Sequence, residues 1–547
     1  MPAPLTVILG GDTLAFEVCT TLLGAGFGVV VLWDRVGDVP EHAARLGARF
    51  SPRHPDERSS LLDAGVLEAT VAMALTDDDH ANLQFALAAR DLNPGVRIVM
   101  RQFNRTLGRK IEQNLPDCSV ISLSSQSAAT YAGAAVDRRC FYGVQFPDID
   151  GPLVGFSERT AGDAGVAGTD ADTAERRLGA RILACDGALD FDRAACFEPD
   201  DTLTLFARID ARPSRPERGP RTLAQGIRLL GVIRRNVARP DPVVRGAVAA
   251  ALTFFVLATA YFAATMHLGV VTAAYFVLST MTTTGYGDIA PARGDLRGEV
   301  VAMLLMLAGL TFSGIFIAVL SSRFAEAQYI ATQGLRPVTR RGHIIVCGAG
   351  NVGSRVVQQL VALGCSVVVV EVQPKPETVA LSRSGRFQLL TGDASKDATL
   401  DLCNIPEAAA LVALTNSDTM NLEIALGARA RGTACHIVMR VQHATFEASI
   451  RRHFGFERVF GTAALAAPVF AGLAFGPGMR GLVRVGGRAC AVIEDEASRA
   501  RTLEPATAGV VPLAAWREGA VVPIARFEDA RDGERLLMLA LTPEGTR

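Results

Sequence analysis

Two long apolar stretches in the middle of the chain depart from the pattern of an ordinary globular protein. Residues 246–266 and 300–322 carry no charged side chain over 21 and 23 positions. A bilayer core about 30 Å thick needs about 20 helical residues to cross it. A buried helix of a soluble domain usually keeps a polar face, which these stretches almost lack. The pattern therefore predicts two membrane-spanning helices, with a pair of buried core helices as the alternative.

A third uncharged stretch, Leu268–Gly287, separates the two predicted spans. Only its first half can be helical, because Gly285 and Gly287 interrupt the helical pattern. Irregular backbone at membrane depth is tolerated only where protein covers it or where it lines a water-filled cavity. We therefore expect a helix that enters the membrane and returns, rather than a third span.

Basic residues flank the two spans on the sides away from their short connection. Residues 212–245 carry nine arginines and only two acids, and four more arginines follow the second span between residues 323 and 341. The connection carries arginines and acids in similar numbers. Because basic residues mark the cytoplasmic side of a membrane, both long flanking parts and both termini are predicted to be cytoplasmic.

Strand-like and helix-like patterns alternate in both flanking parts, which are copies of each other. Residues 74–101 and 413–440 align without a gap over 28 positions, of which 14 are identical. Continuous apolar runs such as Val367–Val370 suit parallel strands that are buried on both faces. Strands that alternate with helices indicate a doubly wound α/β sheet. The sequence thus predicts two Rossmann-like domains, one on each side of the spans.

The second copy contains a glycine motif typical of nucleotide-binding turns. Gly348, Gly350 and Gly353 lie between a predicted strand at residues 343–347 and a predicted helix at residues 354–363. The three glycines permit a tight turn, close approach of a pyrophosphate and close packing of helix on strand. The helix N-terminus then faces the phosphates. The alternative is a glycine turn that serves packing alone.

Four further residues complete this candidate site. Asn351 and Val352 lie within the glycine motif, and Glu371 ends the next strand, where it can accept hydrogen bonds from a ribose. Asp393 ends the third strand beside the same crevice and is a second candidate. The motif predicts an adenine-nucleotide ligand, either NAD(H) or ADP/ATP, because all of these share the same phosphate cradle.

The matching turn of the first copy, residues 10–15, departs from the motif. Asp12 replaces the middle glycine, and its negative charge would repel a phosphate. Asp34 still matches Glu371, but the element around Asp393 has no counterpart. We therefore expect a structural role or a different ligand for this copy. Residues 77–79, three aspartates, could bind a divalent cation, although capping of a helix is the preferred interpretation.

Composition and charge exclude several classes of protein. A chain of 547 residues suggests about three or four domains, and 49% apolar residues exclude a disordered chain. A formal net charge of −1 argues against a nucleic-acid partner. Ten cysteines without a Cys-x-x-Cys pair indicate reduced, buried thiols rather than a disulfide framework or a zinc site.

The segment between the spans carries the most specific motif, Thr283-Thr284-Gly285-Tyr286-Gly287-Asp288. It resembles the selectivity filter of potassium channels, whose signature is TVGYG. A helix and a filter between two spans resemble the minimal potassium-channel pore, and the flanking copies resemble RCK domains, which regulate potassium conductance and form gating rings. Two features depart from the commonest pattern: Thr284 replaces a valine, and an RCK-like domain lies on each side of the pore.

The resemblance implies potassium ions bound by carbonyl oxygens and one hydroxyl, those of Thr283, Thr284, Gly285 and Tyr286, with the hydroxyl from Thr283. Gly285 and Gly287 permit the dihedral angles that such a row of carbonyls needs. Tyr286 is expected to brace the loop against a pore helix at about Thr272–Met281, whose negative C-terminal end favours a cation. Because one chain supplies one wall of the ring, we expect a homotetramer.

Gly309 lies midway along the second span, 21 residues after Asp288. Glycine weakens a helix by about 1 kcal/mol relative to alanine, so Gly309 is a candidate hinge at which the inner helix bends. Close helix packing is the alternative, because small residues also line helix interfaces in membranes. Gly314 competes for the same role.

These observations predict a multi-pass protein of the cell membrane with five segments: a first RCK domain at residues 1–211, a basic linker at 212–245, a pore domain at 246–322, a gating linker at 323–341 and a second RCK domain at 342–547. The expected function is a ligand-gated potassium channel that contacts lipid and a nucleotide, does not bind nucleic acid and is not an enzyme. Two alternatives remain: a nucleotide-sensing regulatory subunit of a cation transporter, and a membrane-anchored NAD-dependent oxidoreductase.

Overall fold

The computed structural model describes residues 3–33, 47–54, 57–147, 151–210, 242–292, 294–332, 337–432, 435–442, 444–476, 478–503 and 509–541. They form two compact units. One unit combines the N-terminal and C-terminal parts of the chain, and the other is the central part. Asp34 and most of the predicted basic linker lie outside the described residues.

The first copy begins with a six-stranded parallel sheet between helices. Its strands are β1 Leu5–Leu9, β2 Gly28–Trp33, β3 Arg49–Pro52, β4 Val71–Ala74, β5 Arg97–Arg101 and β6 Cys118–Ile121. Its helices are α1 Thr13–Gly24, α2 Glu57–Asp63, α3 Asp79–Leu92, α4 Arg105–Asn114 and α5 Leu123–Val136. The strand order β3-β2-β1-β4-β5-β6 is that of a doubly wound nucleotide-binding sheet.

A small antiparallel lobe follows in the same copy. Its strands are β7 Cys140–Gln145, β8 Leu153–Thr160, β9 Ala180–Cys185 and β10 Thr202–Arg208, in the order β7-β8-β10-β9. Its helices are α6 Ala161–Ala164 and α7 Ala171–Leu178.

The central part consists of three helices, α8 Pro242–Thr265, α9 Val270–Met281 and α10 Leu296–Thr332. Helices α8 and α10 lie where the sequence predicted spans, and α9 lies where it predicted the pore helix. Within the described residues, Leu296–Ala318 is the stretch long and apolar enough to cross a membrane, while Ala249–Thr265 is a shorter apolar helix. Helix α10 continues to Thr332 without interruption, so the predicted gating linker begins as helix.

The second copy repeats the parallel sheet. Its strands are β11 Ile344–Cys347, β12 Val367–Glu371, β13 Gln388–Thr391, β14 Ala410–Ala413, β15 His436–Val441 and β16 Arg458–Gly461. Its helices are α11 Asn351–Ala362, α12 Pro376–Arg383, α13 Asp397–Leu402, α14 Asp418–Arg431, α15 Ala444–Phe454 and α16 Thr462–Gly472. The order β13-β12-β11-β14-β15-β16 matches that of the first copy, which confirms the predicted pair of Rossmann-like domains.

A second antiparallel lobe ends the described chain. Its strands are β17 Met479–Val485, β18 Arg488–Glu496, β19 Val510–Arg517, β20 Ala520–Pro523 and β21 Arg535–Leu541, in the order β17-β18-β21-β19-β20. One helix, α17 Ala497–Leu503, packs against it.

One helix of each copy packs into the hydrophobic core of the other copy. Tyr131 of α5 is fully buried in a cluster with Val352 of the second copy, and Phe470 of α16 is fully buried in a cluster with Val18 of the first copy. The Tyr131 hydroxyl donates a hydrogen bond to the carbonyl oxygen of Phe460 at 2.8 Å. Because apolar burial dominates folding, each copy stabilises the other.

Candidate functional site

The segment predicted as a filter follows α9 and has an unusual backbone. Thr283, Gly285 and Gly287 have φ angles of +58°, +50° and +75°. Glycine adopts this left-handed region without steric cost, whereas a β-branched residue such as Thr283 is strained there. Among the described residues, the left-handed positions alternate with Thr284 and Tyr286, whose φ is negative. Such alternation suits a row of inward-facing carbonyls.

Contacts with α9 fix the position of this loop. The backbone N–H groups of Thr284 and Gly285 donate to the Ser279 carbonyl oxygen at 2.9 and 3.1 Å. The ring of Tyr286 stacks on the ring of Tyr275 in α9, with centroids 6.4 Å apart and planes 7° apart. The expected contact between Tyr286 and the predicted pore helix is therefore present.

Gly309 lies where α10 meets the end of α9. A β-carbon at Gly309 would lie 2.5 Å from the Met281 carbonyl oxygen and 2.6 Å from the Met281 α-carbon. A β-carbon at Gly314 would meet no atom within 4 Å. The contact supports the packing alternative at Gly309, and its use as a hinge stays a prediction.

The glycine turn of the second copy is built as the motif requires. Gly348 has φ +95°, and a β-carbon there would lie 3.0 Å from the backbone of Thr415. A β-carbon at Gly353 would lie 1.9 Å from the Gly348 carbonyl oxygen, whereas one at Gly350 would meet nothing within 4 Å. Gly348 and Gly353 thus allow close packing, whereas the space beside the Gly350 α-carbon is empty.

Helix α11 begins at Asn351, earlier than the sequence predicted. Gly350, with extended backbone, is its N-cap, and Gly353 lies in its first turn. Tight packing of that turn, rather than a break in the helix, is therefore the role of Gly353. Val352 is 5% exposed and belongs to the shared core, so only its backbone is available to a ligand.

Glu371 lies directly beside the glycine turn. Its Oε2 accepts a hydrogen bond from the Ala349 N–H at 2.5 Å, and its Oε1 accepts one from the Gln373 N–H at 3.2 Å. A carboxylate offers about four lone-pair sites, so Glu371 keeps acceptor capacity for a ribose. Asn351 is exposed at the same turn, and its Oδ1 lies 3.4 Å from the Lys375 Nζ.

Asp393 lies at the same edge of the sheet as Glu371. The N–H of Gly392 donates to the Glu371 carbonyl oxygen at 3.0 Å, which joins the ends of β12 and β13. The Asp393 Oδ1 accepts from the N–H and the hydroxyl of Ser395, at 2.9 and 2.8 Å. The structure thus brings Glu371, Asp393 and the glycine turn together, and Asp393 has a local turn-forming role as well.

The corresponding crevice of the first copy is filled by its own side chains. The Asp12 Oδ1 caps α1 by accepting from the Ala15 N–H at 3.0 Å, and its Oδ2 accepts from the Arg101 Nη1 at 2.7 Å. A β-carbon at Gly11 would lie 2.4 Å from the Trp33 ring. The sequence revealed the charge of Asp12 but neither Trp33 nor the partner Arg101. The alignment of the two copies pairs Arg101 with Arg440 and was the available signal for it.

Of the three aspartates at residues 77–79, Asp78 is the N-cap of α3. The Asp78 Oδ1 accepts from the N–H groups of His80 and Ala81 at 2.9 and 3.2 Å. These hydrogen bonds stabilise the carboxylate and lower the pKa of Asp78. The Asp79 carboxylate accepts from the Phe103 N–H at 2.8 Å. The preferred interpretation, capping, is confirmed for Asp78.

One group of potential metal ligands occurs elsewhere among the described residues. Ligand atoms of Cys185, Asp186 and Asp201 lie within 4.8 Å of one another. The carboxylates already accept backbone hydrogen bonds, Asp186 from Thr202 at 2.8 Å and Asp201 from Glu198 at 2.7 Å. These hydrogen bonds stabilise the loops and account for the positions of the two carboxylates.

Known domain families match three parts of the chain. The family described as TrkA-N domain matches residues 6–120 and 344–462, and the family described as ion channel matches residues 249–326. The matched regions include the glycine turn of the second copy and the predicted filter.

Curated relatives cover parts of the same regions. An uncharacterized protein of Methanothermus fervidus is 30% identical over 210 residues, which are 38% of this chain and 32% of that protein. Probable potassium channel protein 2 of Methanocaldococcus jannaschii is 28% identical over 29% of this chain and 47% of its own length. The voltage-gated potassium channel Kch of Escherichia coli is 25% identical over 31% of this chain and 41% of its own length. The chain thus spans between 32% and 47% of the length of these relatives.

Solved structures share the fold. The crystal structure of the GsuK RCK domain has a TM-score of 0.50 at 15% identity, covering 98% of this chain and 92% of that one. The GsuK channel bound to NAD has the same TM-score and identity, covering 98% of this chain and 77% of that one. At this level of identity, the likeness concerns the fold.

Proposed function

Because this chain carries two TrkA-N domains with an ion channel domain between them, we propose that it is a potassium-selective channel gated by a nucleotide. The observation that carries the proposal is the Thr-Thr-Gly-Tyr-Gly segment at residues 283–287, placed directly after a short helix between two longer apolar helices. Two of the relatives are described as potassium channels.

In this proposal, potassium ions are bound by the carbonyl oxygens of residues 283–286 and by the Thr283 hydroxyl. Rings of backbone oxygens replace the hydration shell of the ion, which a mobile side chain cannot do. Thr284 keeps the β-branching of the usual valine. Four identical chains close the ring, so the channel is a homotetramer.

The exposed apolar side chains of the central helices support a location in the membrane. Leu257 of α8 is 64% exposed, and Leu307 and Leu310 of α10 are 64% and 62% exposed in the single chain. Large exposed apolar surfaces indicate contact with lipid or with neighbouring subunits. We propose a multi-pass protein of the cell membrane with both termini in the cytoplasm, in agreement with the basic flanks of the spans.

The second copy is the proposed nucleotide sensor. Gly350 leaves its face open at the N-terminus of α11, and Glu371 lies beside the turn with acceptor capacity for a ribose. The ligand is NAD(H), ADP or ATP, and a channel of the same fold is described as bound to NAD. The ligand is bound and released unchanged, so the proposal assigns no catalysis to the protein.

A nucleotide acts on the gate only through its difference in affinity between open and closed states. The chain enters the second copy at residues 338–342, which hydrogen-bond to the segment that precedes β14. The Val338 N–H donates to the Leu402 carbonyl oxygen at 2.8 Å, and the Gly342 N–H donates to the Glu407 carbonyl oxygen at 2.7 Å. Movement of the nucleotide domain would therefore reach the gating linker directly.

Ion flux into liposomes that contain only this chain tests the proposal. We expect potassium and rubidium to pass far better than sodium, with flux that changes when NAD, NADH, ADP or ATP is added. Gly285→Ala should abolish flux without affecting nucleotide binding, because a side chain at φ +50° disturbs the filter. Equal permeability to sodium and potassium would contradict the proposal.

The same preparation separates the two alternatives. Flux that requires a second membrane protein would favour a regulatory subunit of a cation transporter. Hydride transfer from NADH to an acceptor would favour an oxidoreductase. Adding divalent cations in turn tests whether they also regulate the flux.

A further inference from the structure

An ion pair lies across the crevice of the first copy. The Arg101 Nη1 donates to the Asp12 Oδ2 at 2.7 Å and to the Leu75 carbonyl oxygen at 3.2 Å. Arg101 ends β5, whereas Asp12 caps α1 directly after β1, with β4 between the two strands. The arginine therefore reaches over the carboxyl end of one strand to the helix N-terminus, which is where a doubly wound sheet binds phosphate.

The second copy has an arginine at the same place. Arg440 aligns with Arg101, and the two backbones are fixed alike: the Asn421 Nδ2 donates to the Arg440 carbonyl oxygen at 3.0 Å, and the Asn82 Nδ2 donates to the Arg101 carbonyl oxygen at 2.9 Å. The residue that matches Asp12 is Gly350, which offers no carboxylate. The second copy therefore keeps the arginine but not the aspartate that pairs with it in the first copy.

Arg440 is only weakly engaged. Its Nη1 donates to the Asn416 Oδ1 at 2.9 Å, an uncharged acceptor in a loop. Its Nε is buried and meets no hydrogen-bond partner within the part of the chain that the structure describes. A guanidinium carries five N–H donors and pairs best with carboxylate or phosphate oxygens.

We propose that Arg440 binds the phosphate groups of the nucleotide in the second copy. The Asp12 carboxylate takes the place of those phosphates in the first copy and holds Arg101. The inference rests on the proposed nucleotide site and adds to it a cationic residue from the fifth strand of the sheet. The proposal requires the Arg440 side chain to rotate from Asn416 toward Gly350, as Arg101 reaches Asp12 in the first copy.

The proposal also explains the unequal copies. In the first copy, Asp12 neutralises the arginine and Trp33 covers Gly11, so a phosphate finds neither a free cation nor open space. In the second copy, the face of Gly350 is open, and no carboxylate among the described residues pairs with Arg440. The residue at the middle position of the turn is aspartate in one copy and glycine in the other. This difference therefore determines whether the arginine is available to bind a nucleotide.

Calorimetry with ADP and NAD on the full-length protein in detergent is the first test. Arg440→Gln should weaken binding of both ligands at least about tenfold, because a charge-assisted contact is lost, and should flatten the dependence of affinity on salt. Arg101→Gln is the matched control and should leave affinity unchanged. If the wild-type protein and Arg440→Gln bind the ligands equally well, the proposal is overturned. If the wild-type protein binds neither ligand, both the proposed nucleotide site and this proposal are overturned.

A double-mutant cycle tests the geometry without any ligand. Gly350→Asp should pair with Arg440 as Asp12 pairs with Arg101, so Arg440→Gln should lower the melting temperature in the Gly350→Asp background and leave it nearly unchanged in the wild-type background. Gly350→Asp should also abolish ADP binding. Additive effects of the two substitutions on the melting temperature would show that Arg440 does not reach the turn and would overturn the proposal.

Discussion

Gly309 and Met281 touch through their backbones: a β-carbon on Gly309 would stand 2.5 Å from the Met281 carbonyl oxygen. Met281 is the last residue of α9, and Thr282 separates it from the filter segment. Helix α10 therefore approaches the base of the proposed filter as closely as backbone permits. Gly314, further along the same helix, has open space where its β-carbon would lie.

Gly309→Ala should damage the pore, and Gly314→Ala should not. The added methyl group at residue 309 forces α10 away from Met281, at a cost of about 1–3 kcal/mol typical of overpacking. We expect reduced potassium-over-sodium selectivity or loss of flux in liposomes for Gly309→Ala, with near-normal flux for Gly314→Ala. Equal loss in both variants would indicate that helix flexibility, rather than close approach, is what matters.

Gly353→Ala and Gly350→Ala should separate folding from binding. A β-carbon at Gly353 would lie 1.9 Å from the Gly348 carbonyl oxygen, so this variant should lose about 1–3 kcal/mol of stability or more. Gly350 has open space, so its alanine variant should melt normally but bind nucleotide more weakly, because the methyl group occupies the phosphate approach. Melting curves and calorimetry on both variants check this, and normal melting of Gly353→Ala would contradict it.

Glu371 should affect gating without affecting conductance. We expect Glu371→Gln to shift the nucleotide dose–response curve, since the amide still accepts from Ala349 but grips a ribose less strongly. A coupling of about 1–3 kcal/mol corresponds to about a 5–150-fold change in the open/closed ratio. Single-channel recording measures open probability and unitary conductance separately, with Glu377→Gln, an exposed acid in α12, as the control. A change in unitary conductance alone would be evidence against a gating role.

Acid should destabilise the folded chain through His436. Burial, together with the nearby charge of Arg458, lowers the pKa of His436 to about 4. The folded state therefore favours neutral histidine, whereas the unfolded chain takes up a proton below about pH 6.5. Stability is full above that pH and falls as pH drops from about 6.5 toward 4.

Thermal melting between pH 7 and pH 4 measures this loss. His436→Gln should reduce the fall in melting temperature across that range, because the variant has no proton to take up at this position. His453→Gln, at an exposed position of α15, is the control and should behave as wild type. An equal fall in wild type and His436→Gln would exclude His436 as the source.

The amino-acid sequence by itself determined the elements and the local motifs. Charge-free stretches located the helices of the central part, the repeat revealed two copies of one domain, and the glycine spacing marked the turn before α11. Each of these signals is local, because helical periodicity, buried strands and left-handed glycines depend on neighbouring residues. The contact of Tyr286 with α9 could also be predicted from the sequence, since Tyr275 lies in the helix that directly precedes this segment.

Only the tertiary structure decided which residues meet across long stretches of chain. In the folded chain, Arg101 pairs with Asp12, the Trp33 ring packs on Gly11, and Gly309 contacts Met281. Sequence patterns specify the face of an element but not the partner that packs on it, because contacts between elements depend on their relative placement in space. The unequal crevices of the two copies therefore follow from side chains that converge only when each sheet has formed.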